Sequence, residues 1–350
     1  MFKIAVDIGY GYVKGINENG ERVLFRSLIS PAHDRSIMRL FGPDEGENDI
    51  HVRVEERGKA EEYFVGDLAL ESRMAMYAFD RNKINEPETK ILLATAVGEL
   101  LPPDPQPIHL ITGLPFGHFK EQKDAFEDML NKININLKHL TGKKKGQVST
   151  IKFDKVTVFI QGGASVYANL LNTGGFPKRP ELFRSGELIS AVNIGFRTVD
   201  VVTFHAVDKL KLMWDMSFTI DASVGGMQIR TLAQDAFFEK TGHRPNIVII
   251  EDIIKKGGRQ YFAGREIDIS SDLRKAKETV ASTIKRHITS MWGEKKEFVR
   301  TIFFCGGGAL ELKEYLEDFH PNVEFPRDGQ FADAIGYLIL GRIQEQTRKV

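Results

Sequence analysis

The sequence predicts an α/β fold in which two duplicated domains face each other across a cleft. Short apolar runs of strand length alternate with helical patterns along all 350 residues, a length suited to two or three domains. Val6-Asp-Ile-Gly-Tyr-Gly-Tyr-Val-Lys-Gly-Ile16 lines up with Val192-Asn-Ile-Gly-Phe-Arg-Thr-Val-Asp-Val-Val202, with valine, isoleucine, glycine and valine identical. The offset of 186 residues from Val6 to Val192 far exceeds solenoid periods and points to duplication of a whole domain. Two such domains generate a cleft, the usual place for a ligand.

The elements follow in order. Lys3–Val6 is a short buried strand, and Arg22–Leu28 is expected to return beside it as a hairpin turning through Gly9 and Gly11. From Pro31 the chain becomes charge-rich, with strands expected at Ile50–Glu55 and Glu62–Val65 and helices at Asp67–Ala78 and Glu88–Leu101. Pro102-Pro103-Asp104-Pro105 stops the second helix. Ile108–Thr112 is a strand and Phe119–Ile133 an amphipathic helix. Lys143–Lys145 form a solvated hairpin tip between Ile135–His139 and Ser149–Phe153, and Val156–Ile160 runs into a helix begun at Gln161-Gly-Gly-Ala164.

The second half restarts the pattern with strands Leu188–Asn193, Val199–Ala206 and Lys211–Phe218, then a helix over Met227–Lys240. Asn246–Asp272 reads as a small charged insertion. A helix over Leu273–Met291, strand Thr301–Phe304, the turn Gly306–Gly308, and helices over Ala309–Phe319 and Phe331–Gln346 complete the chain. The expected division is a first core from 1–30, 107–170 and 330–350, with an insertion subdomain over 31–106. The second core takes 171–245 and 299–329, with an insertion over 246–298.

Composition excludes several chemistries. Forty-eight basic against 48 acidic residues argue against a protein that grips nucleic acid through bulk positive charge. The same balance offers little repulsion against self-association. One cysteine, Cys305, excludes a disulfide framework and multi-thiolate metal sites. No apolar run approaches the roughly 18 residues that span a bilayer, and the start lacks a signal-peptide pattern, so a soluble cytoplasmic protein is expected.

The chemistry gathers at strand ends. Glycines after Asp7 allow backbone N–H groups to approach phosphate oxygens, a preceding carboxylate can hold hydrated Mg²⁺, and Lys14 adds a positive charge. The same glycine hairpin after Asp is also a common structural turn; its second copy favours a phosphate clamp, with Thr198 supplying a hydroxyl and Asp200 a second carboxylate. Gly306-Gly-Gly308 fits either close approach to a flat ligand or tight strand–helix packing. Gln161, at a strand end, can orient a water or touch a metal. There is no P-loop, metalloprotease or nucleophile-elbow pattern.

Taken in order, Asp7–Lys14, Gln161–Ala164, Asn193–Asp200, Gly306–Gly308 and Phe331–Gly336 resemble the motifs of the actin/Hsp70/sugar-kinase superfamily, whose core is ribonuclease H-like. Tyr63–Ala69, Ile111–Pro115 and Gln330–Tyr337 are similar to segments of the actin-like ParM/StbA plasmid-segregation ATPases and of archaeal actin-like proteins. The resemblance implies ATP or GTP with Mg²⁺, hydrolysis coupled to assembly into filaments, and a small DNA-binding adaptor at a centromere-like site in place of direct DNA or membrane contact. It implies that Asp7, assisted by Asp200, holds the metal and Gln161 positions the attacking water. It places Gly9, Tyr10, Gly11, Tyr12, Lys14, Gly195, Phe196, Arg197 and Thr198 on the phosphates. Gly225, Gly226, Gly306, Gly307 and Gly308 frame the ribose and base. One catalytic position departs: Asn193 stands where the family usually has Asp, which implies slow hydrolysis. A small-molecule kinase of the same superfamily, or a cytoskeletal filament with another cargo, is the alternative.

Overall fold

The structure, a computed structural model, describes residues 1–33, 46, 48–72, 76–77, 87–104, 106–183, 185–207, 209–221 and 224–347. Its first half opens with β1 (Phe2–Ile8), β2 (Tyr12–Asn17), β3 (Arg22–Arg26), β4 (Leu28–Pro31), β5 (Ile50–Glu56), β6 (Lys59–Val65) and β7 (Met76–Tyr77). Next come α1 (Pro87–Leu100), β8 (Ile108–Leu114), α2 (Phe116–Asn131), β9 (Asn134–His139), β10 (Val148–Lys152), β11 (Lys155–Ile160) and α3 (Gly163–Leu170). One sheet runs β11-β8-β1-β2-β3 and a second β10-β9-β5-β6-β4-β7. Thus the hairpin at 134–152 extends the sheet built by strands from 28–77.

The strand expected to return beside β1 is β2, not the segment from Arg22. β2 pairs antiparallel with β1, and Arg22–Arg26 follows as a third strand. Gly15 makes this close packing possible, since a Cβ there would sit 2.6 Å from Leu100 Cδ1. The helix expected over Asp67–Ala78 is replaced by one 3₁₀ stretch, Gly66–Glu71, and the short strand β7. Tyr77 pairs with Leu28, so strand pairing takes the end of the expected helix; residues 73–75 and 78 lie outside the described residues, as does Pro105.

The second half contains α4 (Pro180–Phe183), β12 (Glu187–Ile194), β13 (Val199–Ala206), β14 (Leu210–Leu212), β15 (Phe218–Ile220), α5 (Gly226–Thr241), α6 (Ile247–Lys255), β16 (Arg259–Phe262) and β17 (Arg265–Asp268). It closes with α7 (Ser270–Trp292), β18 (Val299–Cys305), α8 (Gly307–Glu311), α9 (Lys313–Leu316), β19 (Val323–Glu324) and α10 (Ala332–Thr347). The strand expected over Lys211–Phe218 is interrupted by a 3₁₀ turn at Trp214–Met216, where the Met216 carbonyl accepts from Trp292 Nε1. The helix expected over Ala309–Phe319 breaks at Leu312, whose ψ of 7° leaves the helical range.

The duplication is visible in the pairings. In the first half β1 pairs antiparallel with β2 and parallel with β8, and β8 pairs parallel with β11. In the second, β12 pairs antiparallel with β13 and parallel with β18, and β18 pairs parallel with β19. Parallel strands buried on both faces read as continuous apolar runs, as Ile302 to Cys305 does; Ile189 to Ile194 is buried throughout but carries Ser190 and Asn193. One apolar cluster packs β1, β8 and α1 together, another packs β12, α5 and α7, and a third joins α3 to β12, β18 and α10. At the α3–α10 crossing a Cβ on Gly336 would run into the Ala164 carbonyl, so only glycine lets these helices meet. The C-terminal ends of β1, β12 and β18 therefore converge on one place.

Candidate functional site

Where those strand ends meet lies a cleft of about 200 Å³ lined from both halves. Asp7, Gly9, Tyr10, Gly11, Tyr12 and Lys14 come from the first hairpin, and Asn193, Gly195, Phe196 and Thr198 from the second. Gln161, Gly226 and Gly306 to Gly308 are the other expected residues on its wall. A larger depression of about 620 Å³ lies at the opposite end of the β12–β18 pair, beside Glu187 and Val299. The strands' carboxyl ends, where loops and helix starts gather, are the usual ligand side of such sheets, so the smaller cleft is the candidate.

The two hairpins occupy equal registers. Asp7 faces Lys14 across the first, and Asn193 faces Asp200 across the second. Lys14 Nζ lies 2.9 Å from Asp7 Oδ2, and Gln161 Nε2 donates to Asp7 Oδ1 at 3.3 Å. Each turn is closed alike, Gly9 N donating to the Tyr12 carbonyl and Gly195 N to the Thr198 carbonyl. Their tips touch: a Cβ on Gly11 would lie 3.0 Å from the Phe196 ring, and the Arg197 guanidinium sits 5.5 Å from the centre of the Tyr10 ring. That is a cation–π clasp between the halves.

Three expected residues are not on the cleft wall. Arg197 is engaged in that clasp. Gly225 is the point where α5 starts against the second hairpin, a Cβ there falling 2.7 Å from the Phe196 carbonyl. Asp200, expected as a metal-side carboxylate, is buried behind the hairpin at 1% exposure. Its Oδ1 accepts from Thr219 Oγ1 at 2.6 Å and from Phe116 N at 3.2 Å.

The cleft also contains residues the sequence did not single out. Arg230, Glu251 and Glu311 form its outer wall, and Gln330 and Asp333 line its floor. Asp333, in the first turn of α10, accepts from the Asn193 amide and from Gly162 N at 2.9 Å. Burial, then the nearby Asp7 carboxylate, pushes its carboxyl up to about 7. Phe331–Gly336 was recognisable as a motif, yet no spacing tied its Asp to Asn193. Glu251 fell in a stretch read as a charged insertion.

The arrangement suits a polyphosphate with a divalent cation. Asp7 and Asp333 put two acidic groups on the cleft, with Asp200 behind it near enough to act on Asp333, and Lys14 is a compensating cation. Among the described residues no group of three or more acidic, His or Cys side chains forms a metal cage. That donor set fits Mg²⁺, which is usually held by one or two carboxylates plus phosphate oxygens and water. Cys305 is buried beneath the site with its thiol pushed up to about 12 by burial, so it is no nucleophile.

Residues 5–163 match the actin like proteins N-terminal domain family, and 191–318 match the C-terminal family of the archaeal actin homologue MreB-like. An archaeal actin homologue of Thermoplasma acidophilum is 25% identical over 347 residues, 96% of this chain and 98% of that protein. The structure of a 15-stranded ParM filament from Clostridium botulinum is 33% identical with a TM-score of 0.88, over 98% of this chain and 99% of that one. An archaeal actin homologue in complex with ADP, 19% identical with a TM-score of 0.77 over 98% of this chain and 100% of that one, shares the fold.

Proposed function

The chain belongs to the actin-like protein family, and from that premise we propose that it binds ATP or GTP with Mg²⁺ in this cleft, hydrolyses it, and assembles into filaments. The observation that carries this proposal is the pair of glycine hairpins in equal register, one from each half, closing over Asp7, Lys14 and Gln161. A nucleotide held between them couples its own state to the angle between the halves, which is what a subunit needs if assembly is to depend on nucleotide.

In this role Gly9 to Tyr12 and Gly195 to Thr198 cradle the phosphates, with Lys14 neutralising charge. Gly226 and Gly306 to Gly308 frame the ribose and base. When bound, the metal ion neutralises charge on the phosphate oxygens. Asp7 holds its water shell, and Gln161, steadied by Asp7, orients the attacking water. Asn193 faces the same space. The cargo we propose is plasmid DNA, reached through a small DNA-binding adaptor at a centromere-like site, in the cytoplasm. The relative with the 15-stranded filament is a ParM, and the chain's formal charge of zero suits a motor that leaves DNA contact to its adaptor. No helix among the described residues is long and apolar enough to cross a membrane.

Mg-ATP or Mg-GTP added to the purified chain should raise light scattering and give filaments in electron micrographs. Asp7→Asn keeps the side chain's shape and removes its charge, and should abolish Mg-dependent nucleotide binding and assembly while the chain stays folded. A wild-type chain that binds nucleotide yet remains monomeric at all concentrations tried would point instead to a kinase.

A further inference from the structure

The second hairpin lacks a carboxylate at the place where the first has Asp7, and a carboxylate from another element stands against the vacant position. Asn193 Nδ2 donates to Asp333 Oδ2. The other oxygen, Oδ1, accepts from Gly162 N at 2.9 Å, Ser165 N at 3.1 Å and Ser165 Oγ at 2.8 Å. One side chain from α10 thus touches both the second hairpin and the turn that follows Gln161. It is 3% exposed and lines the cleft.

We propose that Asp333 is the positioning carboxylate of the second half, delivered from α10 instead of β12, and that it works only as a pair with the Asn193 amide. It fixes the amide from one side and, through Gly162, the backbone that carries the Gln161 carboxamide. An amide at 193 is then a requirement. A carboxylate there would face Asp333 in a buried setting, where the pair must either keep a proton or bear two repelling charges, and neither state is the one that Asn193 and Asp333 form. The acidic group of the cleft is kept while its carrier moves from strand to helix. The slow hydrolysis that Asn193 alone implies does not follow, because the acidic group is still present.

A simpler role has to be separated from this one. Gly162 offers no side chain to cap α3, and Asp333 accepts from Gly162 N at the cap position and from Ser165 N in the first turn of that helix. Asp333→Asn discriminates, since an amide oxygen still caps but carries no charge. The inference rests on the cleft being a nucleotide site, so phosphate release by the parent chain is measured first. A parent that releases no phosphate from ATP or GTP refutes that site and this role together.

Given a working parent, Asp333→Asn and Asn193→Asp should each lower phosphate release at saturating Mg-ATP or Mg-GTP by about 100-fold, the scale of losing one preorganised polar group. The Kd of Asp333→Asn for a non-hydrolysable nucleotide analogue with Mg²⁺ should stay within about threefold of the parent's. The combined variant Asn193→Asp/Asp333→Asn restores one carboxylate and one amide, and should recover to within about tenfold of the parent. Without nucleotide, Asn193→Asp should melt below both the parent and the combined variant. Parental turnover in Asp333→Asn, or a combined variant no faster than either single one, would overturn the proposal. So would a melting temperature of Asn193→Asp equal to the parent's.

Discussion

Arg26 Nη1 lies 2.6 Å from Glu251 Oε2, joining β3 of the first half to α6 of the second across the outer wall of the cleft. The contact is one rung of a ladder. Arg26 Nε lies 2.5 Å from Asp67 Oδ1, Glu251 Oε1 lies 2.9 Å from Arg230 Nε, and Arg230 Nη1 reaches Glu311 Oε2 at 2.5 Å. The guanidinium groups also cover the hairpins, Arg26 over the Tyr12 ring and Arg230 over the Phe196 ring. Since Tyr12 and Phe196 belong to opposite halves, parting the hairpins breaks the Arg26–Glu251 rung. The ladder acts as a latch on the closed cleft.

Glu251→Gln should therefore weaken the nucleotide-free chain. Arg26 and Arg230 are then left with a neutral amide, and removing one partner of a buried ion pair costs about 3 kcal/mol. Burial opposes the charged form of Glu251, yet Arg230 and Arg26 hold its carboxyl below the usual range. A depressed carboxyl contributes stability that is fully present above its unfolded pKa and is lost as pH falls through the folded one. Parent and variant should differ most at neutral pH and converge in acid below about pH 4.3, the ordinary glutamate value. Denaturant midpoints at pH 7 and pH 3.5 check this; equal midpoints at pH 7 would dismiss the latch.

What could be read from the sequence was what repeats or punctuates. The paired hairpins were visible because Val6–Val13 and Val192–Val199 repeat one another, and the strand-to-helix turn at Gly306 because glycines mark it. The long-range partners were not. Val52 and Val54 pair with His139 and Leu137, more than eighty residues away, so nothing local announces that sheet. Asp333 is one acidic residue among 48, and it acquires meaning only when α10 is set against β12. Glu251 lay in a stretch that read as a charged insertion, yet it is 6% exposed because two arginines meet it there. Leu68, Ala69 and Leu70 looked helical, but their burial against β4 is achieved in a 3₁₀ turn.

Gly306 and Gly264 both have positive φ, +87° and +80°, but their surroundings differ. A Cβ on Gly306 would collide with Asn193 Oδ1 and the Ile194 carbonyl, whereas Gly264, in the β16–β17 turn, has nothing within 4 Å. Gly264→Ala should cost only the left-handed backbone penalty, about 1 kcal/mol, and leave nucleotide affinity alone. Gly306→Ala adds a collision with backbone that cannot move aside, so it should cost several times more and displace Asn193, weakening nucleotide binding. Melting temperature and nucleotide titration of both variants separate the two effects. Equal losses would show that conformation, not close approach, demands glycine at 306.

His109 gives the fold a pH dependence of its own, separate from the latch. It lies on β8, 2% exposed, with Nε2 2.9 Å from Thr157 Oγ1 on β11. Burial, followed by the nearby Lys155 and Lys3 charges, pushes its imidazole down to about 4. An unfolded histidine takes up its proton near pH 6.5, so between there and pH 4 the unfolded chain binds the extra proton and the folded chain does not. Stability is fully present above about pH 6.5 and falls as acid is added, by about 3 kcal/mol once pH passes below the folded value. His109→Gln has no proton to gain and keeps a group able to bond Thr157. It should lose about 1 kcal/mol at pH 7 from poorer packing and bonding, then hold its stability better than the parent down to pH 5. Glu251 is still ionised over that interval, so the latch does not confuse the comparison. Urea midpoints at pH 7, 6 and 5 for parent and variant test the assignment, and parallel pH slopes would rule out His109 as the source.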